Sequence, residues 1–498
     1  MQDSNKTKEN KKAILKSTAL LGGSSFINIL IGMIKTKIVA LLLGPSGVGF
    51  MGVISSLQQI VTTVTGLGLN TSGVRQIAHA TASNDEKKVA LTVKSLRITV
   101  WATGALGLLF MVFSARLLSQ LSFKTEEYSV PIAVLGLAVL FSAISSGQTC
   151  VLQGFRRIKD VAKISVIGAI NGTIIGLPCY YFWGQNGIVP SMVLASLASL
   201  ATSWWYVKKI QLVEVPISYP VIKKEAEKII KLGLPLMLSA FVTTAVSYIT
   251  RVFLSREAGL DAVGQYQAAF ALAGVLVNFV LTAMGTDYYP RLTAVANDNH
   301  KMNEEVNSQT EIALLLAVPA ITATIVFMPF VISLFYSSRF DGAIPILRWA
   351  VFGILGRVIS WPLAYIILAK AKGGLFLFTE FISGIVNVLA LIICYKYLGL
   401  AGSGLAFALL YIWYTGLMLI VAKKISRFYW NKQNIALIII SLLVVTSLSI
   451  FQIFSIVYLV KYILGIILLI GISYIYIKRL FTISGISLKI LNDKIIRS

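Results

Sequence analysis

Seven ionisable side chains interrupt stretches of this chain that are otherwise as apolar as hydrocarbon: Lys35, Lys37, Arg251, Arg348, Arg357, Lys461 and a single carboxylate, Glu380. A cation in mid-bilayer costs about 2.5–3.5 kcal/mol even on insertion-based scales, so such groups face a wet cavity or a partner unless they reach the surface. Several cations beside at most one acid suit an anionic substrate, whereas an exporter of cations would need the reverse. The seven do not carry equal weight. Arg357, in 352-FGILGRVISWPLAY-365, lies 11 or 12 residues from either end of its apolar run, too deep to reach water along the lipid face, and is expected to point inward. Lys37 sits six residues from the end of its run, about 9 Å at 1.5 Å per residue, and a lysine stem can snorkel most of that way. Two readings therefore compete for it, an interfacial anchor and a cavity cation. Lys35 cannot share its face, because residues two apart point about 200° apart on a helix. Arg348 and Lys461 are close enough to the ends of their runs to be interfacial anchors.

Glu380, in 374-GLFLFTEFISG-384, is the candidate for a coupling proton or sodium ion, against the alternative of an interfacial or structural acid. An axial offset of about 10 Å argues against its pairing directly with Arg357 if both helices are straight. Asp287 and Arg291, in 286-TDYYPRL-292, and Arg75 fall at the mouths of apolar runs, where they either greet a substrate and its coupling ion or simply follow topology.

The elements that must position these residues follow from composition. The 498 residues are 57% hydrophobic and 13% charged, outside the range of soluble domains, and apolar runs of about 20 residues recur throughout. An all-α integral membrane protein is expected, with spans near 18–43, 48–70, 97–115, 130–151, 164–183, 187–207, 232–254, 264–286, 311–335, 346–369, 375–397, 402–422, 434–454 and 457–477. That is fourteen helices. The basic N-terminal tail precedes an apolar run too long for a signal-peptide core, so the first span is read as retained. With both termini in the cytoplasm, 33 of the 44 Lys and Arg fall in cytoplasmic tails and loops and only five outside, as the positive-inside rule requires. The formal charge of +24 forms no basic stripe with interleaved aromatics, so nucleic acid is not an expected partner.

The chain also overlies itself at a spacing of about 215 residues. 36-TKIVALLLGPSGVGF-50 matches 250-TRVFLSREAGLDAVGQ-265 with one insertion, 75-RQIA-78 lies near 291-RLTA-294, and 208-KK-209 falls on 423-KK-424. The match sets Lys37 on Arg251, which favours the cavity for both. Six spans per copy return the second copy to the same side of the membrane, so the repeats are parallel. The expected organisation is a six-helix lobe over 1–212, a second over 213–430, and two additional helices with a basic cytoplasmic tail over 431–498. Two lobes related in this way can enclose a cleft that opens to either face by rocking.

Other chemistry is not signalled. No P-loop spacing occurs, the only histidines, His79 and His300, are expected far apart in separate loops, and Cys150, Cys179 and Cys394 have no paired spacing. Neither an enzyme nor a cofactor is expected, and 44-GPSGVG-49 and 399-GLAGSG-404 read as short turns rather than phosphate cradles.

The stretch 41-LLLGPSGVGFMGVISSLQQIVTTVTGLGLNTSGVRQIA-78 resembles the first hairpin of the Wzx-type flippases, which move undecaprenyl-diphosphate-linked O-antigen or enterobacterial common antigen units. Likewise 339-RFDGAIPILRWAVFGILGRVISWPLAYIILAKAKGGLFLFTEF-381 resembles their tenth and eleventh helices, including the glutamate here numbered Glu380. The likeness spreads over residues 15–430. It implies the multidrug/oligosaccharidyl-lipid/polysaccharide exporter (MOP) fold, two six-helix bundles in a V around a cationic lumen. Fourteen helices, where twelve are usual, match the related lipid II flippases, whose extra pair forms a groove for the lipid tail.

The expected activity is translocation of an undecaprenyl-diphosphate-linked oligosaccharide from the cytoplasmic to the outer leaflet of a bacterial inner membrane, within polysaccharide or lipopolysaccharide biosynthesis. Lys37, Arg251 and Arg357 would neutralise the diphosphate, with Lys35, Arg75 and Arg291 as further substrate-binding candidates and Glu380 and Asp287 as ion-coupling candidates. Expected partners are the lipid-linked substrate, membrane lipids, and the polysaccharide polymerase and chain-length proteins. The competing readings are a lipid II flippase, a cation-coupled drug exporter of the same superfamily and, outside transport, a scaffold for polysaccharide polymerisation.

Overall fold

A computed structural model of the chain describes residues 2–83, 85–215, 219–452 and 458–484. Side chains are described from residue 23 onward, except at 26, 219, 275–280, 282–286, 458–461 and 484, so the expectation for Lys461 lies outside the described residues. Every regular element among them is helical. Helices α1 (Gln2–Gly66), α2 (Leu69–Ala82), α3 (Glu86–Phe113), α4 (Ala115–Phe123), α5 (Ser129–Gly154), α6 (Ile158–Trp183) and α7 (Ile188–Lys208) are followed by the long α8 (Tyr219–Ala294). After it come α9 (Asn299–Val326), α10 (Met328–Phe335), α11 (Ala343–Ala369), α12 (Gly373–Leu398), α13 (Gly402–Ser426), α14 (Lys432–Phe451) and α15 (Tyr458–Ser484).

Ten helical stretches are long and apolar enough to cross a membrane, and four of them, 44 to 55 residues each, are long enough to cross twice. Counted so, they account for the fourteen expected spans of a multi-pass membrane protein. The outward surface agrees: Phe113, Phe182 and Ile420 are 84%, 75% and 69% exposed, which only a lipid environment makes favourable. Aromatic clusters end neighbouring helices, Tyr181, Phe182 and Trp183 on α6 and Trp204, Trp205 and Tyr206 on α7. The Lys209 ammonium lies 4.7 Å from the Trp205 ring and 4.8 Å from that of Tyr206, an arrangement suited to the headgroup level.

Both α1 and α8 consist of two helical segments that meet at a single glycine. Gly44 (φ 63°, ψ −171°) and Gly259 (φ 82°, ψ 177°) occupy backbone conformations open essentially only to glycine, and each breaks its helix at one residue. Pro45 follows the first break, where its fixed φ suits the start of the next helical segment. The turn expected at 44-GPSGVG-49 is thus a single-residue kink. These two glycines are the ones the sequence repeat superposes. The repeat extends into the helices: α6 recurs as α12, 215 residues on at both ends, and α3 recurs as α9, 213 residues on at both ends. Gly184 and Gly399, which end α6 and α12, share one conformation (φ 54°, ψ −131° and φ 57°, ψ −138°). Arg156 and Ala371, just before those helices, are both left-handed.

Packing contacts divide the chain into two compact units, Met1–Gly264 and Gln265–Ser498. This division follows packing and not the repeat. In unit 1 one apolar cluster joins Phe50, Ile54 and Leu57 of α1 to Ile132, Leu135 and Val139 of α5. A second joins Leu69 and Ile77 of α2 to Val93 and Leu96 of α3 and Val151 of α5. Also in unit 1, α1 and α8 cross at contact distance around paired glycines. A Cβ on Gly49 would lie 1.9 Å from the Leu260 carbonyl oxygen, and one on Gly264 would lie 2.0 Å from that of Pro45. In unit 2, Tyr288, Leu292, Met302, Val306, Leu363 and Met418 form the core.

The last two helices are tied to α9 by polar contacts. The fully buried Asn434 amide nitrogen donates to the Asn307 carbonyl at 2.8 Å and to its Oδ1 at 2.9 Å, and the Asn307 amide donates to the Tyr429 carbonyl at 3.1 Å. Arg479 of α15 donates to Glu311 of α9 through Nε at 2.9 Å and Nη2 at 2.5 Å.

Candidate functional site

Three of the four candidate cations of unit 1, Lys35, Lys37 and Arg251, lie on the kinked helices. Lys35 and Lys37 are half-buried on α1, just before the buried Val39 and Ala40 and the break at Gly44. The Lys35 ammonium lies against Gly172 of α6, 3.7 Å from where a Cβ would stand, so this side chain is packed between two helices of its own unit. Arg251 is half-buried on α8, before the break at Gly259. Its Nη1 donates to the Ser247 carbonyl at 3.0 Å and also to the Ser247 hydroxyl, which fixes the guanidinium one turn back along its own helix. Arg75 is exposed on α2.

In unit 2 the candidates form two separate groups. The first gathers on α8 and α9: Arg291 Nε donates to Asp287 Oδ2 at 2.9 Å and Nη1 to Glu305 Oε2 at 2.6 Å, with Gln309 Oε1 at 3.4 Å. The guanidinium charge is thus met by two carboxylates within the unit, and Asp287 is engaged by the same group. Nearby, the buried Tyr288 hydroxyl donates to the Pro362 carbonyl at 3.0 Å, tying α8 to α11.

The second group lies deeper. Arg357 is near the middle of α11, Glu380 on α12, and Tyr411 and Tyr414 on α13. The helices approach closely because Gly353 and Gly356 of α11 face Phe407 and Tyr411, where any side chain would collide. Thr415 Oγ1 donates to the Gly356 carbonyl at 3.3 Å across the same seam. Tyr414 donates its hydroxyl to Glu380 Oε1 at 2.9 Å, and Tyr411 stands within Coulombic reach of both Arg357 and Glu380. Arg357 and Glu380 make no direct ion pair, as their axial offset leads one to expect. Among the described residues no carboxylate lies within ion-pairing distance of Arg357. The group is a half-buried cation without an internal counter-ion, beside a carboxylate held by a tyrosine.

One cation escaped the hydropathy reading. That reading begins the third span at residue 97, whereas α3 begins at Glu86, with Asp85 as N-cap accepting from the Lys88 amide at 3.1 Å. Arg97 therefore lies eleven residues inside the helix, and its Nε is buried with no hydrogen-bond partner. The signal was present in 85-DEKK-88, an N-cap aspartate with an acid in the first turn, ahead of an apolar run. The same extension occurs at α9, which begins at Asn299 rather than near 311, capped by Asp298. Two backbone amides donate to the Asp298 carboxylate and hold its pKa below the usual value.

The sequence profile of the family described as polysaccharide biosynthesis protein matches residues 14–296. The lipid III flippase of Escherichia coli (strain K12) is 21% identical over 377 residues, which cover 74% of this chain and 88% of that protein. Among solved structures, the inward closed conformation of the lipid II flippase MurJ superposes with a TM-score of 0.69 at 15% identity, covering 93% of this chain and 100% of that one. An inward-facing multidrug resistance MATE family transporter of the MOP superfamily superposes with a TM-score of 0.66 at 17% identity, covering 80% and 95% of the two chains. At these identities the superpositions establish a shared fold.

Proposed function

The chain belongs to the polysaccharide biosynthesis protein family, and from that premise we propose that it is a flippase rather than an enzyme. Its cargo is an undecaprenyl-diphosphate-linked oligosaccharide, an O-antigen unit or similar repeat, carried from the cytoplasmic to the outer leaflet. The observation that carries this reading is Arg357: a cation within an apolar helix, unmatched by any carboxylate among the described residues, calls for an anion from outside the protein. A diphosphate supplies one, and guanidinium pairs with phosphate oxygens bidentately.

In this proposal a six-helix lobe over residues 1–212 and another over 213–430 alternate in access, and the helices of 431–498 serve the lipid tail. Both termini lie in the cytoplasm of a bacterial inner membrane, and the polymerase and chain-length proteins act on what the flippase delivers. Lys37 and Arg251, matched by the repeat, meet the diphosphate together with Arg357, while Lys35, Arg75 and Arg291 guide its approach. Arg291 is already paired with Asp287 and Glu305, so its part would be taken by exchanging a carboxylate for a phosphate. Glu380, held by Tyr414, is the reset site at which a proton or cation rebinds, and Asp287 is the second ion-coupling candidate.

Energetics allow the direction. Moving two uncompensated negative charges outward across about 100 mV, inside negative, releases about 4.6 kcal/mol. The lipid II reading shares the fourteen helices, and Arg357 would serve its diphosphate equally, so the identity of the glycan separates the two cargoes. Cation export is disfavoured because, among the described residues, the acids deep within spans are already engaged, Glu380 by the Tyr414 hydroxyl and Glu311 by Arg479. The test is surface accumulation of lipid-linked oligosaccharide in cells lacking their own flippase, complemented with wild type or with Lys37→Ala plus Arg251→Ala. Rescue by wild type alone, at equal membrane expression, supports the proposal. No rescue by wild type refutes it, and equal rescue returns the two cations to anchoring roles.

A further inference from the structure

Unit 1 contains a cavity of about 360 Å³ without a single ionisable side chain in its lining. Its wall is built from the second half of α1, the start of α2, α3 and α5, and its polar surface includes Gln58, Gln59, Thr62, Asn70, Ser142 and Ser146. Internal bonds already order part of it. Gln58 Nε2 donates to Ser142 Oγ at 3.3 Å, and the Ser146 hydroxyl donates to Asn70 Oδ1 at 2.6 Å. The Gln59 side chain is exposed in the cavity and makes no hydrogen bond among the described residues. Val100, Leu69 and Ala143 supply the apolar remainder.

We propose that this cavity is the glycan-recognition subsite, taking a neutral sugar of the head group while cations elsewhere meet the diphosphate. The inference rests on the flippase reading above. Three observations carry it. First, amides and hydroxyls each offer both donors and acceptors, which is the chemistry of a sugar's hydroxyl and acetamido groups, and neither a diphosphate nor a cationic drug would find its counter-charge here. Second, the volume lies at the lower end of the roughly 300–1,000 Å³ range of small-molecule sites. Third, the repeat contrasts the two units at one position. Ser142 stands 215 residues before Arg357, the same spacing that separates Gly154 from Ala369 at the ends of α5 and α11. One copy therefore holds a hydroxyl among amides where the other holds an uncompensated guanidinium. A head group made of sugar and diphosphate has a use for both. In the proposed orientation the cavity also lies toward the cytoplasmic face, because it reaches Gly66 at the end of α1, where loading begins.

A site built to hydrogen-bond a hydroxyl or amide discriminates strongly against a ligand that lacks it, because its own polar groups are then left unpaired. The test compares affinities of the purified full-length protein for bare undecaprenyl diphosphate and for the same lipid carrying one glucose, galactose or N-acetylglucosamine. Wild type is expected to favour at least one glycosylated lipid about 10-fold or more. Gln59→Leu with Asn70→Leu is expected to abolish that preference while binding of the bare lipid persists. Gln59→Met alone, which breaks no described hydrogen bond and so spares the fold, is expected to reduce the preference. Unchanged preference in these variants overturns the subsite and leaves the flippase reading standing, as does a wild type that binds all four lipids equally. A wild type that binds none of them overturns the flippase reading itself, and the subsite with it.

Discussion

Arg357 and Glu380 share unit 2 without sharing a salt bridge, and this separation is what a transport site needs. Two opposite charges locked together would satisfy each other and offer nothing to a cargo. Replacing Arg357 by Gln is expected to lower translocation about 10- to 100-fold, since one hydrogen bond to a charged group is worth about 1.5–3 kcal/mol. Arg357→Lys, which keeps the charge but loses the fork, should fall between; equal flux in all three proteins would remove Arg357 from the path. Arg97 allows a sharper test because stability and function should move in opposite directions. Its Nε is buried without a partner, so Arg97→Met is expected to raise the unfolding temperature while lowering flux. A drop in both would make Arg97 a structural residue. The deep candidates were legible in the sequence because an apolar run makes any charge conspicuous. Arg97 was not, because the charged start of α3 hid the helix from a hydropathy window. The Tyr414 hydroxyl on Glu380 was out of reach too, since nothing in sequence spacing brings residues 34 apart on different helices together.

Helices in this protein are shaped by glycine more than by loops. Gly259 has nothing within 4 Å of an added Cβ, so Gly259→Ala isolates backbone strain and is expected to cost about 1–3 kcal/mol without any collision. Gly49 and Gly264 are the opposite case, because a Cβ on either collides with a backbone carbonyl of the crossing segment. Gly49→Ala and Gly264→Ala should each separate α1 from α8 and depress transport in protein that still inserts; wild-type flux in both would show the close crossing to be dispensable. On α14, Asn434→Ala removes two buried hydrogen bonds to Asn307, at a cost of about 0.5–1.5 kcal/mol each, while Asn307 keeps its bond to the Tyr429 carbonyl. Proteolysis of the segment before α14 should then quicken, and an unchanged pattern would mean that apolar packing alone holds that helix. The kinks were readable as glycine-rich interruptions in matching places, although the sequence presented them as turns. The asparagine clamp was not readable, because Asn307 and Asn434 look like ordinary polar positions near the starts of their helices until the fold brings them together.

The duplicated architecture relates these parts at the scale of the whole molecule. Repeat, span number and membrane character were legible from periodicity and charge placement, because lipid leaves a chain few ways to satisfy its backbone. The functional asymmetry between the copies was hidden, since neutral amides in a helix carry no signal until a cavity forms around them. A carrier of a dianionic head group should respond to membrane potential, and one moving a neutral or fully compensated cargo should not. The most direct measurement places the purified wild-type chain in sealed vesicles with fluorescent undecaprenyl-diphosphate oligosaccharide and follows its exposure on each leaflet while a potassium diffusion potential is set. The account predicts translocation that requires the protein and accelerates when the potential drives negative charge toward the receiving leaflet. Protein-dependent movement of a cationic dye with no movement of the glycolipid, at any potential, would contradict it.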